Sequence, residues 1–452
     1  MRRTVGRLAW ASGCFLAGML GTAAAGELVV NGWRPFSPRE DVRPQFAAEK
    51  SGGPDGKGTM IIQHDQREGL HGAWSRTFPI QGDTHYRFVA HARTVAHART
   101  VAPDDDGGDL RGRAYVELWF HDAEGKLVRD QQTGVHSRPF YPNDQPADQP
   151  WTRFSGVYRA PRAATHVTVQ LHLRWSPGVR VAWGGVSLTK SPAPRPRATR
   201  LATINYRPRG GKTGLDNCKQ FEPFLAEAAK QRADLVVLGE CITSVGNGLS
   251  HEQAAEPIPG PCSKYLGELA KKHQVHLVTS LFEREDHLIY NTAVLLSPQG
   301  ELVGKYRKVC PARDEYRKGI APGRSFPVFD TPLGKIGMMI CFDVHMPEVA
   351  RGLSANGAEI IAMPIMGGHP ALARARAIEN QIYLVTSTYS LNEDWMQSGV
   401  WGLDGDLLVR ATKQDAVVVV EVDLAKQHVW RANIGYFRGR LRHERPRVAL
   451  PK

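Results

Sequence analysis

The chain has 452 residues, 42% of them hydrophobic and 23% charged, which excludes a disordered or collagen-like polymer and suits two or three folded domains. Its formal net charge of +13 invites a nucleic-acid partner. However, the surplus is split between residues 190–212 and 431–452, and no zinc-finger, helix-turn-helix or aromatic RNA-binding signature accompanies it. The expectation is no nucleic-acid function, and a solvated basic surface with loose affinity for anionic envelope polymers.

Arg2, Arg3 and Arg7 precede an apolar run over 8–20 and the small residues Ala23, Ala24 and Ala25, the pattern of an export leader. Residues 1–25 are therefore expected to be cleaved and the mature chain to be secreted or periplasmic. The run falls short of the roughly 20 apolar residues that a spanning helix needs. Cys14, after Ala11, Ser12 and Gly13, weakly suggests a lipoprotein site, but cleavage there would leave almost no apolar run. Of six cysteines, Cys14 leaves with the leader, and Cys218, Cys241, Cys262, Cys310 and Cys341 remain. An odd number means that at least one thiol is unpaired within the chain, and spacing does not say whether the other four are bridged.

Residues 26–188 hold six of the ten tryptophans and several segments of period two. In 166–175, Val167, Val169, Leu171, Leu173 and Trp175 alternate with Thr168, Gln170, His172 and Arg174, which predicts a strand with one face in a core and the other in water. Residues 86–90 and 114–120 read similarly, and turn-forming clusters divide them. The segment is expected to be an antiparallel β-sandwich without a convincing helix. The hexapeptide at 91–96 recurs at 97–102, too few copies for a solenoid. Asp104, Asp105 and Asp106 lack the spaced ligand pattern of a calcium loop and predict a solvated turn.

Residues 189–200 carry three prolines, which lack amide donors and favour extended backbone, so they mark a linker. Beyond it the texture changes. Residues 221–231 and 265–272 have helical patterns, and 233–238 and 275–281 are apolar strands. Such alternation predicts an α/β domain over 201–430, followed by a basic tail at 431–452.

Three segments of this domain end on reactive side chains. The buried strand Asp234-Leu235-Val236-Val237-Leu238-Gly239 delivers Glu240 at its C-terminal end, where α/β folds commonly place active groups. Gly304-Lys305-Tyr306-Arg307-Lys308 follows a strand-like stretch. A third strand, beginning at Gly334, is predicted to end at Cys341 in Ile340-Cys341-Phe342-Asp343. A thiol needs a base to become a strong nucleophile, and Glu240 is the candidate. Negative charge developing on an attacked electrophile is stabilised by a fixed cation and a backbone amide, for which Lys308 and the amide of Phe342 are candidates.

The order glutamate, lysine, cysteine within these flanks resembles the nitrilase superfamily of carbon-nitrogen hydrolases, and the likeness extends over about 200–425. Gly239 stands where proline is usual in that family. The segments beginning at Asn291, Met346, Arg374 and Val417 also look like family segments. The resemblance implies a four-layer α-β-β-α sandwich, usually dimeric, and hence a homodimer. It implies a Glu240-Lys308-Cys341 triad that works through a thioester, with Glu315 as a second carboxylate orienting the lysine and substrate; Asp314 is the adjacent competitor. His345 and His369 lie where relatives place substrate-pocket loops. No cofactor is expected, and no metal, because no His, Cys or carboxylate pair has ligand spacing. The flanks of Cys341 look more like amidase and N-carbamoyl-amide hydrolase branches than true nitrilases, with nitrile hydrolysis and acyl transfer left open. Residues 26–188 resemble, in pattern, jelly-roll carbohydrate-binding and galactose-binding-like modules, which implies a glycan or cell-envelope polymer as partner. The rival from another class is an envelope glycan-binding protein whose hydrolase domain is inactive.

Overall fold

The computed structural model describes residues 28–95, 113–128, 139–146, 150–426 and Leu441. The leader at 1–25, the second hexapeptide at 97–102, the acidic turn at 104–106 and the tail at 431–452 apart from Leu441 lie outside the described residues.

The N-terminal half forms two antiparallel sheets. Its strands are β1 (Arg34–Phe36), β2 (Gln45–Glu49), β3 (Thr59–Gln63), β4 (His71–Pro79), β5 (His85–Thr94), β6 (Ala114–His121), β7 (Asn143–Pro146), β8 (Thr152–Arg159), β9 (His166–Arg174) and β10 (Arg180–Lys190). One sheet has the order β1-β4-β9-β6 and the other β2-β3-β10-β5-β8-β7. A single core joins them, with Trp74, Val116, Val169 and Leu171 from the first and Ile62, Phe88, Phe154 and Trp183 from the second. The Trp74 indole also donates to the Ile61 carbonyl across the gap. Among the described residues of this half the only helical element is a short 3-10 turn, Glu40–Val42.

The alternation in β9 holds from Val167 to Leu173 and fails beyond it. Trp175, expected inside, is 50% exposed, because the strand ends at Arg174 and Trp175 takes a left-handed backbone with φ of 49°. On the face expected to meet water, His172 is 2% and Arg174 7% exposed. Tyr115 stacks on the His172 ring at 4.5 Å, and Arg174 lies over both Tyr115 and Trp175. Long neighbouring side chains have turned the polar face into a second, partly aromatic, interior at this end.

The second half contains β11 (Ala198–Asn205), α1 (Gly214–Lys219), α2 (Glu222–Lys230), β12 (Leu235–Val237), α3 (His251–Ala254), α4 (Pro261–His273), β13 (His276–Glu285), β14 (Leu288–Leu296) and β15 (Leu302–Arg307). It continues with α5 (Arg313–Arg317), β16 (Val328–Thr331), β17 (Gly334–Met338), α6 (Pro347–Ala355), β18 (Ile360–Pro364), α7 (Pro370–Asn380), β19 (Tyr383–Ser387), β20 (Gly399–Trp401), β21 (Leu407–Arg410) and β22 (Ala416–Asp423). Two six-stranded mixed sheets result, β15-β14-β13-β12-β11-β22 and β16-β17-β18-β19-β20-β21. Each has parallel central strands, such as β11-β12-β13 and β17-β18-β19.

Strand β12 shows why the layers stack. Leu235 and Val237 face the second sheet in a core with Met338 and Ile361. Val236, on the other face, packs against Leu225 of α2 and Leu266 of α4. A strand buried on both faces is continuously apolar. Beyond the second sheet, Val349 and Leu353 of α6 and Ala373 and Ala377 of α7 close the stack, giving the order helices, sheet, sheet, helices. The two sheets are also tied by polar bonds: Thr203 Oγ1 donates to the Thr386 carbonyl at 2.7 Å, and Ser387 Oγ to the Ile204 carbonyl at 2.7 Å. The expected strand into Cys341 is shorter than read. It stops at Met338, and Cys341 opens a 3-10 turn, Cys341–His345.

Candidate active site

Glu240 leaves the end of β12, just beyond Leu238, whose amide donates to the Val278 carbonyl. Lys308 follows β15, with its amide bonded to the Asn291 carbonyl at 2.9 Å. Glu315 sits in the first turn of α5, where its carboxylate accepts from the Ala312 amide at 2.6 Å. Cys341 turns sharply out of the second sheet with φ of 44°, in the left-handed region that L-residues occupy only when the surrounding fold enforces it.

These four elements meet in one buried polar knot. Lys308 Nζ donates to Glu240 Oε1 at 2.9 Å and to Glu315 Oε2 at 2.7 Å. The Asn291 side-chain amide spans the same two carboxylates, at 2.9 Å to Glu240 and 2.8 Å to Glu315. Glu240 Oε2 accepts from the Met366 amide at 2.9 Å, and the Glu240 carbonyl accepts from the Tyr389 hydroxyl. The Cys341 thiol lies within reach of the Glu240 carboxylate and the Met366 amide, and its Sγ is 3.8 Å from the Gly367 carbonyl.

Burial works against the Lys308 charge, but Glu240, the Cys341 sulfur and Glu315 together hold its pKa well above the usual lysine value. Burial pushes Glu315 upward, and Lys308, Asn291 and the Ala312 amide outweigh it, leaving the carboxyl below its ordinary value. For Cys341, burial and then the Glu240 charge push the thiol up, with Lys308 and the Met366 amide opposing. The resting knot is thus a neutral thiol beside a carboxylate and a permanent cation, an arrangement suited to proton transfer from sulfur only as a substrate is attacked.

Several parts escaped the sequence reading. Asn291 is fully buried; its signal was an amide side chain in the largely apolar run of β14, beside Thr292. Asp343, quoted only as a flank of Cys341, accepts from Tyr306 Oη at 2.7 Å, the Ile340 amide at 2.9 Å and the Cys310 amide at 2.9 Å. It therefore ties the lysine segment to the cysteine turn. Burial lifts its carboxyl to about 6 despite Lys308 and these donors. Gly239, the departure from the family pattern, has a local cause: a Cβ there would meet the Tyr389 ring at 2.6 Å. Tyr389 fills the space and uses its hydroxyl to hold the Glu240 backbone.

The knot takes in Glu315 and not Asp314, which is exposed. Phe342 follows Cys341 in the same turn, its ring stacked on His345 at 4.7 Å. His345 is exposed, and His369 caps α7 by accepting from the Ala371 amide at 3.2 Å. Neither histidine is brought to the knot by a described contact. The five described cysteines are free thiols, including Cys241 beside Glu240 and Cys310 beside Lys308. No group of three metal-binding side chains occurs among the described residues.

Comparison with known proteins gives the second half of the chain a family. The carbon-nitrogen hydrolase family model matches residues 201–432. The omega-amidase NIT2 of Homo sapiens is 32% identical over 260 residues, covering 53% of this chain and 94% of the human protein. The omega-amidase NIT2 of Danio rerio is 32% identical over 247 residues, covering 50% of this chain and 88% of its own. Among solved structures, a mutant of the Nesterenkonia AN1 amidase from the nitrilase superfamily is 25% identical, covers 52% of this chain and 94% of its own, and superposes with a TM-score of 0.45. Saccharomyces cerevisiae Nit3, also of that superfamily, is 25% identical over 50% of this chain and 90% of its own, with a TM-score of 0.44. With the family match spanning just over half of the sequence and the human relative covered almost end to end, the chain belongs to the carbon-nitrogen hydrolase family of the nitrilase superfamily and is an enzyme.

Proposed function

We propose that the enzyme hydrolyses an amide or N-carbamoyl amide outside peptide linkage, through a thioester on Cys341, releasing ammonia or an amine. The observation that carries the reading is the knot itself: a thiol within reach of Glu240, whose carboxylate is held by Lys308 at 2.9 Å and Asn291 at 2.9 Å. Glu240 takes the thiol proton as Cys341 Sγ attacks the carbonyl carbon, and negative charge moves to the carbonyl oxygen. Lys308 Nζ and the Phe342 amide stabilise that oxyanion, each donor lowering the barrier by about 3 kcal/mol. Glu240 returns the proton to the departing nitrogen, the carbon-nitrogen bond breaks, and an acyl-sulfur bond remains. Water then loses a proton to Glu240 and adds to the thioester; the carbon-sulfur bond breaks, and the thiolate recovers its proton. Glu315 and Asn291 hold Lys308 and Glu240 in place and touch no reacting atom.

The test is ammonia release, with and without carbon dioxide, across amide, carbamoyl and nitrile panels, combined with intact-mass detection of an acyl adduct on Cys341. Amide or carbamoyl turnover that disappears in a folded Cys341→Ala variant supports the reading, and full activity in that variant rules it out. The same reading has the leader cut near Ala25 and the enzyme working outside the cytoplasm as a homodimer, with residues 26–188 recruiting an envelope polymer. N-terminal sequencing of exported protein, light scattering and a glycan screen with the full chain test those parts in turn.

A further inference from the structure

Of the five described cysteines, the mechanism above uses Cys341 alone. Cys218 lies in α1 and Cys262 in the first turn of α4. Both sit in the apolar layer between the helices and the first sheet, among Phe221, Leu225 and Leu266. They are 0% and 5% exposed. The two helices pack directly against each other. A Cβ at Gly214 would stand 3.1 Å from Cys262 Sγ, and Cys218 follows Gly214 by four residues, one turn along the same face of α1. Cys262 Sγ therefore points at the face of α1 that carries Cys218, and the two thiols are within hydrogen-bonding reach of each other.

The remaining thiols face other groups. Cys241 Sγ is 3.9 Å from Ser280 Oγ, Cys310 meets Asp343, and Cys341 meets Glu240. Contact with Cys218, then burial and the Glu256 carboxylate, hold the Cys262 thiol well above its ordinary pKa. Glu256 is fixed there because it caps α4, accepting from the amides of Cys262 and Ser263 at 2.9 and 3.1 Å. Once the helices have packed, Cys262 is protonated and shielded, whereas thiol-disulfide exchange needs a thiolate. Any reaction of this pair belongs to the stage at which α1 has not yet closed on α4.

We propose that Cys218 and Cys262 form a disulfide while the chain folds in contact with a disulfide oxidant, tying α1 to α4 and leaving Cys241, Cys310 and Cys341 as thiols. One cysteine, as its thiolate, attacks the oxidant's disulfide and releases one of its sulfurs; the second cysteine displaces the other. One protein sulfur-sulfur bond replaces that of the oxidant, which gains both electrons and both protons as two thiols. The bridge closes the stretch 218–262, which contains β12 and Glu240, so the unfolded chain loses freedom in the segment that bears the base. Only the source of the oxidant depends on the export proposed above; the pairing does not.

The test uses the full chain in two arms. In the first, purified reduced protein is held in mild urea with glutathione and glutathione disulfide, then returned to buffer. In the second, the chain is made in a bacterial host behind its own leader and receives no reductant. Both samples are denatured, blocked with N-ethylmaleimide and digested for mass analysis. The first arm is expected to take up two fewer maleimides than a reduced control and to yield one linked peptide pair, Cys218 to Cys262. Its Tm should exceed that of the reduced form by about 5–10 °C, with the iodoacetamide reactivity of Cys341 unchanged. Cys262→Ala should abolish both the linked peptide and the Tm difference between oxidised and reduced samples. Recovery of both cysteines as maleimide adducts, a bridge that takes in another cysteine, or an exported, leader-free chain without the bridge overturns the proposal. A bridge in the first arm beside leader-bearing, unbridged protein in the second counts against export and leaves the pairing standing.

Discussion

Replacing Lys308 by Met is the most informative perturbation of the knot, because it strands two buried carboxylates. Glu240 and Glu315 are 3% and 8% exposed, and both accept from one Asn291 amide, at 2.9 and 2.8 Å. Without the lysine they cannot both stay ionised so close together, so one takes up a proton in the folded state. Holding a carboxyl protonated costs about 1.4 kcal/mol for each pH unit above its unfolded value near 4.3, hence about 5 kcal/mol at pH 8 and about 1 kcal/mol at pH 5. The folded pKa of the pair is raised, so the loss of stability grows as pH rises, opposite to the loss expected when a salt-bridged carboxylate is titrated by acid. Adding Glu315→Gln removes the need for a proton and should recover about 2–3 kcal/mol at pH 8. Urea unfolding at pH 5, 6.5 and 8, followed by ellipticity at 222 nm, reads this out, since the described α-helices all lie in the second half. A penalty independent of pH, or a double variant as unstable as the sum of the singles, would refute the reasoning.

Glu240→Gln is expected to slow turnover about 10³-fold as the base is lost, yet to lower the pKa of Cys341, because the Glu240 charge helps to raise it; the midpoint of the pH profile for iodoacetamide labelling should fall, and an unchanged or higher midpoint contradicts the assignment. Tyr306→Phe removes a 2.7 Å donor from Asp343 and should destabilise by about 2 kcal/mol above pH 6, where that carboxylate is ionised, and by much less at pH 5, as measured by the same unfolding series. Gly239→Ala brings a Cβ to 2.6 Å from the Tyr389 ring and should cost about 1–3 kcal/mol by overpacking. Its effect on kcat should be larger than its effect on KM, since Tyr389 positions Glu240 and not the substrate.

The reactive residues were legible because each sits in a local pattern: an apolar strand ending in Glu240, a basic strand leading to Lys308, an apolar strand turning at Cys341. Their companions come from elsewhere in the chain. Asn291 could be flagged as polar in an apolar run, but its two carboxylate partners, Glu240 and Glu315, belong to other elements and are apparent only once β14 lies between β13 and β15. Trp175 illustrates the opposite limit. Period two assigns a side chain to a face only while the backbone stays extended, and one left-handed residue ends that inference.

Asp343 also changes how the enzyme should fail on heating. Lys308 hangs from one sheet and Cys341 from the other, and apolar contact between stacked sheets has no directional preference that would stop one from sliding by a fraction of a residue. Asp343, with donors from Tyr306 of the first sheet and Ile340 of the second, acts as a rivet near the nucleophile. The Thr203 and Ser387 bonds to the backbone of the opposite sheet are a second rivet on the β11–β19 side. Further bonds, from Asn205 to the Thr388 carbonyl and from the Met366 amide to Glu240, add to these two, so nucleophile and cation stay in register until the whole stack opens. Inactivation and unfolding should then share one midpoint in the native enzyme, and part company, with activity lost first, when Asp343→Ala removes the tie that lies nearest the nucleophile.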